Sequence, residues 1–241
     1  KFVKTKIYSK YPADHYWNLL HQELLQTGCS AAFISSEAFS RLRGHPEQMQ
    51  FIRDQLKDYQ VKVLVYLRSQ PEFLASAYNQ AVKRGHETRT VNELMQSGWM
   101  TIDYFEELEE WASVFGTENI IVRIFDQHKM PGGVVADLIG VLENEGIRLD
   151  TSGWTSRFFS FKWNIRLPDN MVETKRRINA TYHLPGFLDQ AVNTWLQWRG
   201  KQFPDAQLLT KAQKEMIIQR YSQSNQKLGD KYLNGKQPFN E

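Results

Sequence analysis

Val61 to Arg84 reads VKVLVYLRSQPEFLASAYNQAVKR, and the reading of this stretch decides the fold. Its opening, Val61 to Leu67, is almost entirely β-branched, aromatic or leucine, which suits a buried parallel strand. Arg68 ends the run. Ser69 stands three residues before Glu72, which predicts a helix N-cap with a capping box, and Pro71 falls where a first turn tolerates proline. Phe73, Ala77, Tyr78 and Ala81 recur at helical spacing and form the expected inward face. The unit is strand, arginine, short turn, helix. It sets a guanidinium beside free helix N–H groups at the carboxyl end of a sheet, where α/β folds bind phosphorylated ligands. Ser76, on the following turn, offers a hydroxyl to the same anion. A surface arginine and a solvent-facing helix serine are the plainer reading of the same two residues.

On the amino-terminal side, Pro12 to Gln26 predicts a helix with Trp17, Leu20, Leu24 and Leu25 inward, stopped at Gly28. Ala31 to Ser35 (AAFIS) reads as a short buried strand, and Pro46 to Tyr59 as a helix. Strand, crossover helix, strand is the pattern of a right-handed parallel unit. On the carboxyl side, Gly85 breaks the long helix and Val91 to Met95 suggests a short one. Phe105, Leu108, Trp111, Ala112 and Phe115 mark a helix within Ile102 to Phe115, closed by Gly116. Asn119 to Phe125 (NIIVRIF) reads as a third strand, followed by a helix from Val134 to Leu142. These elements predict an α/β fold with a doubly wound parallel sheet over 31–150. Beyond Trp154 only helical periods occur, roughly Met171 to Asn179, Leu184 to Trp198 and Thr210 to Leu228. Residues 151–241 are therefore expected as a C-terminal helical extension packed on the core, within a single domain of 1–241.

The chain has 241 residues, 41% of them hydrophobic and 24% charged, as in globular proteins with a substantial core. A net charge of +3 argues against a broad nucleic-acid-coating surface and leaves room for a local anion pocket. One cysteine, Cys29, excludes an intrachain disulfide and fits a reducing compartment. No apolar run approaches the roughly 20 residues of a membrane span, so no integral membrane segment is expected. The six histidines and the lone cysteine form no metal-ligand spacing. Gly-x-Gly-x-x-Gly, Gly-x-Ser-x-Gly and Asp-x-Asp do not occur, which weakens dehydrogenase, hydrolase and metal-dependent glycosyltransferase readings.

Strand-Leu67-Arg68 followed by Ser76 on a helix resembles the 3′-phosphate motif of sulfotransferases that use 3′-phosphoadenosine 5′-phosphosulfate (PAPS). Phe33-Ile-Ser-Ser-Glu37, the run VRIFDQHKMPGGVVADLIGVLE and the ending from Leu208-Leu-Thr210 through Arg220-Tyr-Ser-Gln-Ser-Asn225 to Lys231-Tyr-Leu233 extend the likeness. Together they resemble bacterial carbohydrate sulfotransferases of capsular polysaccharide type. The resemblance spans most of 31–233 and rests on order and spacing more than on any one motif. It implies a P-loop-like sulfotransferase fold, PAPS as cosubstrate without a metal, a carbohydrate acceptor (a polysaccharide or glycolipid precursor) and a cytoplasmic enzyme. Arg68 and Ser76 would hold the donor's 3′-phosphate.

Phe33 to Phe39 also resembles the segment in which heparan-type sulfotransferases carry their catalytic glutamate, which makes Glu37 the candidate base; a loop carboxylate pairing with Arg41 is the alternative. With parallel strands, Glu37, Arg68 and Asp126 would open onto one crevice. Ser36, Arg157, Lys162 and Arg166 are candidates for substrate contacts. Trp154, Trp163, Trp195 and Trp198 fit either sugar platforms or the core of a helical cap. Lys175-Arg176-Arg177 reads as a solvated helix face. Nothing before Ala31 matches the family's Gly/Thr-rich loop for the 5′-phosphosulfate. The chain opens on Lys1 rather than Met, so that loop is expected upstream. Its true absence would make the chain a non-catalytic nucleotide- or glycan-binding scaffold of capsule assembly.

Overall fold

The structure is a computed structural model; it describes residues 13–98, 102–126, 130, 132–151, 153, 166–204 and 206–239. The described chain is mixed α/β and mostly helical, with one small parallel sheet of two strands. In chain order, α1 (Ala13–Thr27), a 3₁₀ turn (Glu37–Leu42) and α2 (Pro46–Gln55) precede β1 (Val63–Leu67). Then come α3 (Gln70–Lys83), α4 (Val91–Gln96), α5 (Tyr104–Phe115), β2 (Ile120–Ile124) and α6 (Gly133–Asn144). The C-terminal part supplies α7 (Asp169–Thr181), α8 (Gly186–Gly200), α9 (Lys211–Arg220) and α10 (Ser222–Tyr232).

The chain divides into two compact units. The first comprises the described residues of 1–65, 107–121 and 127–160; the second those of 66–106, 122–126 and 161–241.

Ring contacts organise the first unit. Trp17 of α1 meets Phe51 of α2 edge-on, and His21 stacks on Tyr59 at 6.0 Å. Phe39 of the 3₁₀ turn meets Trp111 of α5 edge-on, and the Gly44 N–H donates to Glu110 Oε2 at 2.7 Å. One face of α5 is thereby tied to the turn that begins at Glu37. Trp17, Leu20 and Leu24 are half-buried as expected, whereas Leu25 is exposed.

The second unit is built on α3. Its core joins Tyr78 and Val82 to Leu94, Leu167, Val172 and Leu196, as α3 packs against α7 and α9 and α7 against α8. Leu74, Tyr78 and Val82 are the buried apolar positions of α3, so its inward face is rotated from the expected one, and Phe73 is exposed. Gly85 ends the helix at φ +77°, where a side chain would be strained. The Gly85 N–H donates to the Val82 carbonyl and the His86 N–H to the Ala81 carbonyl, a Schellman closure.

A buried polar network reinforces that closure. Asn179 Nδ2 donates to the Val82 carbonyl at 2.8 Å and Asn193 Nδ2 to the Lys83 carbonyl at 3.0 Å. Lys175, wholly buried, donates to Asn179 Oδ1 and pairs with Asp189 at 2.8 Å. The expected solvated face at Lys175-Arg176-Arg177 is corrected here: position 175 points into the core. Only Arg177 is well exposed, and both arginines hold Glu173.

Three further expectations change. Ala31 to Ser35 forms no strand; Phe33 and Ile34 are exposed. Backbone groups need a ladder partner to become a strand, and a short apolar run does not specify one. The predicted capping box at Ser69 does not form; Ser69 is the N-cap of α3 without a side-chain bond, and the boxes sit at Thr90/Glu93 and Thr210/Gln213. The long helix over Thr210 to Leu228 is two helices, broken at Tyr221. No described helix is long and apolar enough to cross a membrane.

Candidate functional site

β1, Arg68, a turn at Ser69 and α3 follow one another in the order that the sequence predicts, without the capping box. The parallel strands bring their carboxyl ends side by side: the Phe125 N–H donates to the Leu67 carbonyl at 2.6 Å. This register puts the first residue after β2 next to the first residue after β1. The Arg68 guanidinium lies over the Phe125 ring, 4.5 Å from its centroid, an attractive cation–π geometry that leaves the N–H edge uncommitted. Among the described residues no carboxylate pairs with Arg68.

The turn is fixed from two sides. Tyr104 Oη donates to the Arg68 carbonyl at 2.9 Å, and the Tyr104 ring meets Phe73 edge-on. Gln70, the first residue of α3, is buried, and its amide pairs reciprocally with that of Asn225 at 2.6 and 3.2 Å. Two neighbours of Asn225 add to the clamp. Tyr221 Oη accepts from the Ile102 N–H at 3.1 Å, and Ser224 Oγ donates to Asp103 at 2.5 Å. The YSQSN run thus positions the start of α3 through α10.

Ser76 stands about 9 Å along the axis from Gln70 and shares the less buried side of α3 with Glu72 and Phe73. Its hydroxyl has no hydrogen-bond partner among the described residues. Arg68, Ser76 and the backbone N–H groups of Gln70 and Glu72 therefore belong to one strand–turn–helix unit, in which Pro71 has no N–H and the Phe73 N–H donates to the Ser69 carbonyl. What such an arrangement can do is accept a compact, multiply charged anion. Asp126 follows Phe125 in the same unit, half-buried and engaged in contacts of its own.

The other candidates fare differently. Arg166 pairs with Asp169 in the first turn of α7. Arg157 and Lys162 lie outside the described residues, as do Trp154 and Trp163. Glu37 and Ser36 belong to the first unit, Arg68 and Ser76 to the second. Glu37 begins a 3₁₀ turn instead of following a strand; it is exposed and does not pair with Arg41. Ser36 caps that turn, its Oγ accepting from the Ala38 N–H at 3.1 Å. Of the four tryptophans, Trp195 and Trp198 are more than half exposed, so the core reading does not hold for them.

Two features were missed in the sequence. Phe125 could have been found from strand register, as the residue just past the apolar run of the paired strand. Glu107, on the face of α5 that meets the 3₁₀ turn, could not, because only tertiary burial distinguishes it from Glu106 and Glu109. Burial raises its carboxyl pKa, Arg43 pulls it back, and Glu110 pushes it up further.

Over 209 residues the chain is 29% identical to an uncharacterized protein of Archaeoglobus fulgidus, an alignment covering 86% of this chain and 55% of that protein. The chain thus spans about half the length of this curated relative. No protein-family model matches the chain, and no solved structure matches it.

Proposed function

We propose that the chain is the PAPS-binding part of a sulfotransferase that moves a sulfuryl group to a hydroxyl of a polysaccharide or glycolipid precursor. The observation that carries the reading is Arg68, held against Phe125 by its face with no acidic partner among the described residues, just before the start of α3, the helix that carries Ser76. A buried or half-buried cation without a carboxylate is costly unless an anion joins it, and a 3′-phosphate supplies both charge and lone pairs. The reading adds the finer expectations of the sequence: a P-loop-like, doubly wound sheet completed in the whole protein, and a cytoplasmic setting where PAPS is available. The donor already carries a good leaving group, so the chemistry needs a base, for which Glu37 is the candidate, and cations on the bridging oxygen.

One observation favours a second reading. Glu37 does not stand at a strand end, so a nucleotide- or glycan-binding scaffold that has no base remains the competing proposal. Incubation of the full-length protein with labelled PAPS and a polysaccharide or glycolipid fraction separates the two. Label transferred from PAPS, and not from adenosine 5′-phosphosulfate, supports the enzyme. Binding of PAPS or of the glycan fraction without transfer supports the scaffold, and binding of none of them overturns both.

A further inference from the structure

α8 carries its apolar residues on two opposite faces. Asn193 and Leu196 turn inward, and Asp189 is drawn inward by Lys175. On the other side Phe187 (72% exposed), Leu188 (42%), Trp195 (53%) and Trp198 (60%) fall within an arc about 100° wide. Aromatic residues of this size on the wet face of a helix cost solubility and need a purpose.

The charge around them is one-sided. Arg199 projects beside Leu188 at one edge of the arc, its guanidinium 4.5 Å over the Phe203 ring, and Lys201 stands at the other edge. Neither has a carboxylate partner among the described residues. Asp189 is the one acidic residue between Thr181 and Pro204, and Lys175 neutralises it from within. We propose that this face of α8 docks the protein on an anionic phospholipid surface. Trp, Phe and Leu on one side with flanking Arg and Lys are the composition of a helix lying in the headgroup region, with indoles at the level their amphipathic rings prefer. Apart from the two indole N–H groups, which suit the headgroup level, the arc presents no hydrogen-bonding side chain, and this favours a lipid surface over a sugar chain. Docking is independent of the nucleotide reading, since none of these residues takes part in it.

Co-sedimentation of the protein with phosphatidylcholine vesicles, with and without phosphatidylglycerol, tests the proposal. Binding is expected to the phosphatidylglycerol vesicles and to weaken as salt is raised. Trp195→Ser together with Trp198→Ser should reduce that binding by at least about tenfold while leaving the melting temperature unchanged. Arg199→Gln together with Lys201→Gln should remove the preference for phosphatidylglycerol. No binding to either vesicle, or binding that the tryptophan pair does not alter, overturns the proposal. So does a tryptophan-dependent dimer, or tryptophan-dependent retention on an anionic oligosaccharide without vesicle binding.

Discussion

The guanidinium of Arg68 and the ring of Phe125 stack at 4.5 Å because each is the first residue beyond one of two paired parallel strands. The aromatic face holds the cation in place without neutralising it, and a carboxylate there would compete with an incoming phosphate. Phe125→Leu keeps the strand and removes the quadrupole, so the affinity for 3′-phosphoadenosine 5′-phosphate (PAP) should fall by a few-fold, matching roughly 0.5–1 kcal/mol. Titration calorimetry reads this directly; an unchanged affinity would show that the ring only fills space.

The amide pair between Gln70 and Asn225 predicts a coupled loss. Either Gln70→Ala or Asn225→Ala leaves a buried amide unpaired, at a cost of about 1–3 kcal/mol. The double variant should cost less than the sum of the two, because no orphan remains. Chemical denaturation of the four proteins measures the cycle, and strict additivity would mean the bonds are not formed in solution.

Lys175 and Asp189 are unequal partners, since the lysine is wholly buried and the aspartate is not. Asp189→Asn leaves a buried cation facing only amides, whereas Lys175→Met leaves an anion that reaches water. Asp189→Asn should therefore be the more destabilising, on the order of 3–5 kcal/mol. The reverse order in urea denaturation would contradict the burial seen here.

Much of this was legible in advance, and the failures share a cause. β1, α3 and their junction at Arg68 were readable because an apolar run, a proline at the first turn and a helix-ending glycine are local signals. Ala31 to Ser35 has the composition of a strand, yet strand formation depends on a partner that composition does not name. Lys175 sits in a basic triplet, and only the placement of Asp189, Asn179 and the end of α3 turns it inward. Trp195 and Trp198 were ambiguous for the same reason: helical spacing shows that they share a face, but not whether anything covers it.

Glu107 gives a pH-dependent prediction. Its carboxyl pKa is raised, chiefly by burial, so the folded state binds its proton more tightly than the unfolded chain does. This contribution is fully present below the ordinary carboxylate value of 4.5 and is lost as pH rises through the folded value. Glu107→Gln should raise the melting temperature relative to wild type at pH 7, and the difference should vanish toward pH 4. A Gln variant that is less stable at pH 7 would mean that Arg43 outweighs burial.

Glu37 is exposed and its side chain has no partner among the described residues, so Glu37→Gln should change stability by no more than about 0.5 kcal/mol. If it is the base, turnover of the full-length protein falls by roughly 10²–10⁴-fold with donor affinity retained. Turnover at the wild-type rate would remove the catalytic assignment and favour another carboxylate.

The anion site at Arg68 is tested most directly by calorimetric titration of PAP into the full-length protein and its Arg68→Ala variant. Removing one charge-assisted contact of about 1.5–3 kcal/mol should weaken binding by roughly ten- to a hundredfold, with the melting temperature preserved. Equal affinities in the two proteins, or no PAP binding by the folded wild type, would contradict it.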